Sequence, residues 1–255
     1  MIHPTAIVSN KAKIGKNVEI GPYSYIGEEV EIGDGTRIGN NVIIEDYTAI
    51  GGNCNIFHHA VLGTVPQDIN FKEGEETRLV IGDNNVIREF VMINRGTKRG
   101  GGITRIGNGN FIMAYVHIAH DCMIGNNVIM ANMVQLAGHV MVEDFACMGG
   151  LAAVHQFVRI GAYSMIGGVS GVSQDVLPYI LVAGNRAKPC GINIVGLRRH
   201  GFSEEDIRTI KRAYKTIFHS HLLLKEIIKE LEKEESPYIK KVLEFMRSSK
   251  RGFCK

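Results

Sequence analysis

Residues 14–44 read IGKNVEIGPYSYIGEEVEIGDGTRIGNNVII, with an aliphatic residue on every sixth position: Ile14, Ile20, Ile26, Ile32, Ile38 and Ile44. The period extends back to Val8 and Ile2 and forward through Ile50, Ile56 and Leu62, eleven hexads without a gap. It resumes at Ile81, Ile87 and Ile93, then runs for twelve more hexads from Ile106 to Val172, passing through Ile118, Leu136 and Val154. Gly follows most of the early aliphatics, and two residues before each stands a small or β-branched residue such as Val18, Ser24 or Thr36. Neither the helical period of 3.6 nor the strand period of 2 repeats at six, so the unit is a short strand plus a corner. Hexapeptide arrays of this kind form parallel β-helices, in which every coil pairs with the coils above and below. Gly or Asn is expected to supply the positive φ that the corners need.

The array resembles those of hexapeptide-repeat proteins, a likeness that implies left-handed coiling and three hexads per triangular coil. On that likeness residues 18 apart stack about 4.8 Å from one another. Two interruptions, 64–80 and 95–105, follow the eleventh and fourteenth hexads and therefore leave from one corner. The seventeenth hexad, at Ile118, is next at that corner and carries His120 two residues on. Loops inserted on one edge of a repeat array usually build its binding face. After about residue 175 the hexads stop. Gln174 to Gly201 reads as a connector. Ser203 to Asp206 is a capping-box pattern that opens a helix with Ile207, Ile210, Ala213, Tyr214 and Ile217 inward. Further helices are expected over 222–234 and from Ser236-Pro237 onward. The fold class is therefore all-β: a left-handed parallel β-helix over 1–185, then a small α-helical domain over 186–255.

A chain of 255 residues with 45% hydrophobic content can bury a sizeable core. No apolar run is long enough to span a bilayer, and Met1-Ile2-His3-Pro4 shows no secretory pattern, so a cytoplasmic location without membrane insertion is expected. The five cysteines, Cys54, Cys122, Cys147, Cys190 and Cys254, have no CxxC spacing and read as free thiols. The net charge of +3 hides an asymmetry: residues 186–255 hold 17 Lys and Arg against 9 Asp and Glu. A basic patch of that size fits nucleic acid, anionic lipid or an acidic protein, and composition does not choose among them.

The one dense group of chemically capable residues is His117-Ile118-Ala119-His120-Asp121, with His139 and His155 downstream. HxxH on a strand points its rings to opposite sides rather than to one face, so a metal is expected to be possible only across chains. A lone histidine beside a corner is more often a packed or solvated ring. Four in one stretch favour function. Eighteen residues after His120 stands Gly138, and eighteen further Gln156. A base, a backbone N–H uncovered by any side chain, and an amide in one column describe an acyl-transfer site, the base taking a hydroxyl proton and the N–H holding the oxyanion. Asp121 is placed to fix the tautomer of His120.

The motifs at 117–122, 136–140, 153–157 and 167–175, together with Gly191-Ile192-Asn193 and Gly201-Phe202-Ser203, closely resemble the UDP-N-acetylglucosamine O-acyltransferases of lipid A biosynthesis over almost the whole chain. The resemblance implies a homotrimer that moves a 3-hydroxyacyl chain from acyl carrier protein to the 3-position of a UDP-sugar, the first step of lipid A biosynthesis. It implies no cofactor and no nucleic-acid partner. His120 would be the base, Asp121 its partner and Gly138 the oxyanion donor. Asp68, His117, His139, His155, Gln156, Asn193 and Arg199 would line the substrate pocket, and Gly168 would set acyl-chain length. The chain departs from the family pattern at Asn94, where a histidine is usual, at Asn70, where a lysine is usual, and at Val195, where a glutamate is usual. Each departure removes a polar group expected near the acceptor, so a 3-amino sugar stands beside the 3-hydroxyl as acceptor. A zinc hydratase resembling the carbonic anhydrases of this fold, and a non-catalytic binding solenoid, are the competing readings.

Overall fold

The computed structural model describes residues 1–255. Short strands, most of them two residues long, pair in parallel into three sheets of nine, eight and ten strands. Consecutive strands fall in successive sheets, so the chain winds as a three-sided left-handed parallel β-helix. Register follows the 18-residue spacing where no loop intervenes: Ile7 pairs with Tyr25, and Ile118 with Leu136, which in turn pairs with Val154. The first sheet contains Val61–Thr64, Met92–Asn94, His117–Ile118, Gln135–Leu136 and Ala153–Val154 as neighbours, so both loops and His120 leave from one corner, as expected.

The periodic aliphatics fill the interior: Ile26, Ile44, Leu62, Ile93, Ile118 and Leu136 are all buried. Removing one such side chain typically costs about 2–5 kcal/mol, because a closed coil cannot collapse into the space left behind. The small residue two places earlier has a second task. Ser24 Oγ and Thr36 Oγ1 donate to the carbonyls of Gly39 and Gly51 in the following coil, at 2.8 Å each.

Gly or Asn supplies the positive φ at some corners, as expected, with Asn17, Asn41, Asn53, Asn127 and Gly35 among them, but not at most. Of the glycines directly after the aliphatics only Gly63 (φ 81°) adopts the left-handed region, and the others, Gly21 among them, lie outside it. That region is occupied by the third residue after the aliphatic, usually not Gly: Tyr23, His59, Phe90, Tyr115, Asp121, His139 and Phe157 all adopt it. Gly21 is instead required by proximity, since a Cβ there would lie 2.6 Å from Gly39 O. The conformational cost of the left-handed residues, about 1–2 kcal/mol each, is offset by hydrogen bonds such as His139 N–H to His120 O (3.0 Å) and by stacking along the corner.

The boundary expected at 185/186 falls inside a hairpin. Ile180–Ala183 joins the third sheet, and Lys188–Ile192 pairs with it antiparallel, so the sheet continues past the expected end and the 174–201 connector is largely structured. Four helices follow: α1 Ile194–Arg199, α2 Glu204–His219, α3 Leu224–Leu231 and α4 Pro237–Ser248. Helix α1 carries no amphipathic signal and was not expected. Helix α2 starts at the expected capping box, with Ser203 Oγ accepting from Asp206 N at 3.1 Å and Asp206 Oδ2 accepting from Ser203 N at 3.0 Å. No helix is long and apolar enough to cross a membrane. All five cysteines are free thiols.

Candidate active site

His120 and Asp121 are the second and third residues after the buried Ile118, and the left-handed turn at Asp121 (φ 60°) folds its carboxylate back under the imidazole. His120 Nδ1 lies 2.8 Å from Asp121 Oδ2. The carboxylate is almost fully buried and takes further hydrogen bonds from Thr97: N–H to Oδ1 at 2.8 Å and Oγ1 to Oδ2 at 2.7 Å. Asp121 N in turn donates to Thr104 Oγ1 at 2.8 Å. A buried anion needs such a set of donors.

One coil on, Gly138 lies directly against the imidazole. A Cβ at that position would sit 2.6 Å from His120 Cε1 and 2.8 Å from Nε2. At several other corners of the solenoid the N–H at this point of the hexad is capped by a side chain one coil on, as Glu28 N is by Asp46 Oδ1 and Asn126 N by Asp144 Oδ1. That ladder lapses at the histidine: Gly138 offers no side chain to His120 N, and the N–H of Gly138 itself donates to no protein acceptor although the residue is buried. An unpaired, buried donor beside a potential base is a place for ligand oxygen.

A cavity of about 510 Å³ opens here, lined by His120, His139 and Gln156 from the solenoid, Asp68 and Asn70 from the first loop, and Thr97 and Arg99 from the second. His139 packs edge-on to His120 and stacks on Phe157 at 4.4 Å. Burial holds its pKa below the ordinary imidazole value, the nearby His120 adds to that, and the Asp121 charge partly offsets it. Burial likewise lowers His117. The Asp68 carboxyl is held below the usual range chiefly by the hydrogen bond from Asn70 N (2.9 Å), which Asn70 Nδ2 reinforces at 3.1 Å.

Thus the structure gathers Asp68, His120, Asp121, Gly138, His139 and Gln156. His117 lies one sheet position away, its Nε2 2.9 Å from Asn94 Oδ1. His155 opens instead into a neighbouring cavity with Arg186, Lys188, Arg251 and Lys255. Within one chain Asn193, Arg199 and Gly168 do not reach His120. Asn193 caps α1, accepting from Gly196 N at 3.0 Å and donating to Tyr163 O at 2.9 Å. Arg199 is close enough to Cys147, on the third sheet, to act on its thiol, and Gly168 sits on the corner between the third and first sheets. Sequence reasoning missed Thr97 and Arg99. They lie in a non-periodic loop, and the only available signal was that this loop leaves from the histidine corner.

The expectation that metal would require several chains is not met by the geometry. Donor atoms of His120, Asp121 and His139 lie within 4.8 Å of one another in a single chain. The chemistry of the set is less favourable, because Asp121 spends both oxygens on Thr97 and one also on His120.

Relatives cover the chain from end to end. A protein of Thermodesulfovibrio yellowstonii named acyl-(acyl-carrier-protein)–UDP-N-acetylglucosamine O-acyltransferase is 58% identical over 256 aligned positions, covering 100% of this chain and 99% of its own. This chain belongs to the UDP-N-acetylglucosamine O-acyltransferase family. The protein of the same name from a Janthinobacterium species is 52% identical, again over 100% and 99% of the two chains. The family profile described as UDP N-acetylglucosamine O-acyltransferase, domain 2, matches residues 175–254, and that of the bacterial transferase hexapeptide matches 11–46 and 103–138. Among solved structures, the UDP-N-acetylglucosamine acyltransferase of Francisella novicida superposes with a TM-score of 0.97 at 39% identity, covering 100% of this chain and 94% of that one. The Campylobacter jejuni acyltransferase gives 0.95 at 44%, covering 100% and 99%.

Proposed function

We propose that the chain transfers a 3-hydroxyacyl group from acyl carrier protein to the 3-position of UDP-N-acetylglucosamine, opening lipid A biosynthesis in the cytoplasm. The observation that carries this reading is the column of His120 over the unpaired Gly138 N–H. His120 Nε2 removes the proton from the sugar hydroxyl as its oxygen attacks the thioester carbonyl. The carbonyl oxygen gains negative charge and is held by Gly138 N–H, a contact typically worth 10²–10³ in rate. The tetrahedral adduct collapses with cleavage of the C–S bond. The departing thiolate is stable on its own, since a thiol has a pKa of about 8.5. Asp121 stabilises the imidazolium until its proton is lost. No step requires a metal or cofactor.

Assembly as a homotrimer is part of the proposal. Tyr23, Phe90, Tyr115, Met133, Leu151 and Val169 form an exposed apolar ridge on the corner that carries Gly168. His59, Phe90 and Tyr115 stack along it at 4.9 Å. Covering that ridge with the histidine corner of a neighbour would bring Gly168, Asn193 and Arg199 of one copy toward His120 of another. The test is an assay of purified protein with hydroxyl and amino forms of the UDP-sugar, each against a series of acyl carrier proteins of different chain length, in parallel with metal analysis. Turnover that His120→Ala reduces by several orders of magnitude supports the transferase. Stoichiometric zinc with carbon dioxide hydration and no acyl transfer would replace it with the hydratase.

A further inference from the structure

Asp121 is held by the second loop through hydrogen bonds of defined direction. Thr97 is the N-cap of the short 3₁₀ turn Lys98–Gly100, and its Oγ1 accepts from Gly100 N at 3.0 Å. A hydroxyl has one hydrogen. With Oγ1 already accepting from the backbone, that hydrogen is free to point at Asp121 Oδ2, 2.7 Å away. Oδ1 accepts from Thr97 N. With both oxygens accepting, the carboxylate has no proton to offer His120 Nδ1 at 2.8 Å, so the ring supplies it. Nδ1 carries the hydrogen and Nε2, beside Gly138, keeps its lone pair.

We propose that Thr97 is a positioning residue, whose backbone and side-chain donors orient Asp121 and thereby fix His120 in the Nδ1–H tautomer. The role rests on the acyl-transfer reading only for its effect on rate; the tautomer itself is independent of the reaction. The same loop leaves no freedom on the other side of the carboxylate, since a Cβ at Gly100 would lie 2.1 Å from Asp121 Cγ. Thr97 touches no reacting atom in this scheme. It acts through two groups in series, and no other side chain donates to Asp121 Oδ2 apart from His120 itself.

Thr97→Val keeps the branched shape and removes the hydroxyl, whereas Thr97→Ser keeps the hydroxyl. The experiment reads the ¹⁵N shifts of His120 in protein labelled with ¹⁵N-histidine, its signals assigned by their loss in His120→Gln, together with kcat and KM. The wild type and Thr97→Ser should show the Nδ1–H pattern. Thr97→Val should show a mixture of tautomers and a kcat lower by about 10–100-fold, the scale seen when a partner that orients a metal-bound imidazole is lost, with KM for both substrates unchanged. Thr97→Ala should behave as Val does, and serves if the Val protein does not fold. An Nε2–H pattern in the wild type, or a folded Thr97→Val or Thr97→Ala protein with wild-type shifts and kcat, overturns the proposal. A Thr97-dependent tautomer in a protein that transfers no acyl group would uphold it and overturn the reaction instead.

Discussion

A single methyl group separates the observed column from one that could not form. Alanine at position 138 would place its Cβ 2.6 Å from His120 Cε1, so the ring must swing away while the N–H stays in place. Gly138→Ala should therefore fold normally yet lose about 10²-fold or more in kcat, the loss associated with a misaligned base or oxyanion donor. Steady-state kinetics beside a thermal melt separates the two effects. The buried imidazoles make a second prediction. His117 and His139 both hold pKa values depressed by burial. On acidification the unfolded chain binds protons at these residues first, near pH 6.5, and the folded chain only at lower pH. Their contribution to stability is thus intact above the ordinary histidine value and lost as pH falls through the depressed one. Urea midpoints at fixed protein concentration should decline between about pH 7 and 5, and the double variant His117→Gln, His139→Gln should flatten that slope.

At the level of elements, the first loop depends on one amide. Asn94 Nδ2 donates to Val65 O at 2.7 Å, which leaves Oδ1 to accept from His117 Nε2 at 2.9 Å. The departure that the sequence assigned to acceptor choice is thus a fully buried tie between a strand, a histidine and the loop that carries Asp68. Asn94→Ala would strand Val65 O and His117, costing about 1–3 kcal/mol, and should raise the sugar-nucleotide KM several-fold by releasing Asp68. Chemical denaturation and initial rates check the two halves. Elements also divide what the sequence disclosed from what it hid. The stacking of His120 on Gly138 was legible because period six, together with the three hexads per coil that the likeness to hexapeptide-repeat proteins implies, fixes register without any knowledge of side-chain contacts. The start of α2 was legible because its cap is local. Thr97 was not, since its partner is 24 residues away across an aperiodic loop. The hairpin of Ile180–Ala183 with Lys188–Ile192 lacks alternation, and α1 is held by Asn193 and Leu197 rather than by an apolar stripe.

For the whole molecule, the apolar ridge predicts the assembly. Leu151→Glu or Tyr115→Glu places charge where a neighbour's surface is expected, beyond contact with His120's own cavity. Sedimentation should shift from trimer toward monomer at micromolar concentration, with turnover lost in the same variants although His120 and Asp121 are untouched. A trimer that persists with full activity would place the interface elsewhere.

The solenoid also lets its chemistry be counted in whole turns. The partners of the site meet because they lie at equal angles around one axis, one storey apart, so a change of chain length outside the site matters to its geometry only through the remainder after division by eighteen. Excising residues 27–44, a full storey far below the histidines, should shorten the column and leave turnover nearly intact. Inserting a mere six residues between His120 and Gly138 should rotate everything downstream by one wall of the prism and abolish it, although every strand could still find a mate.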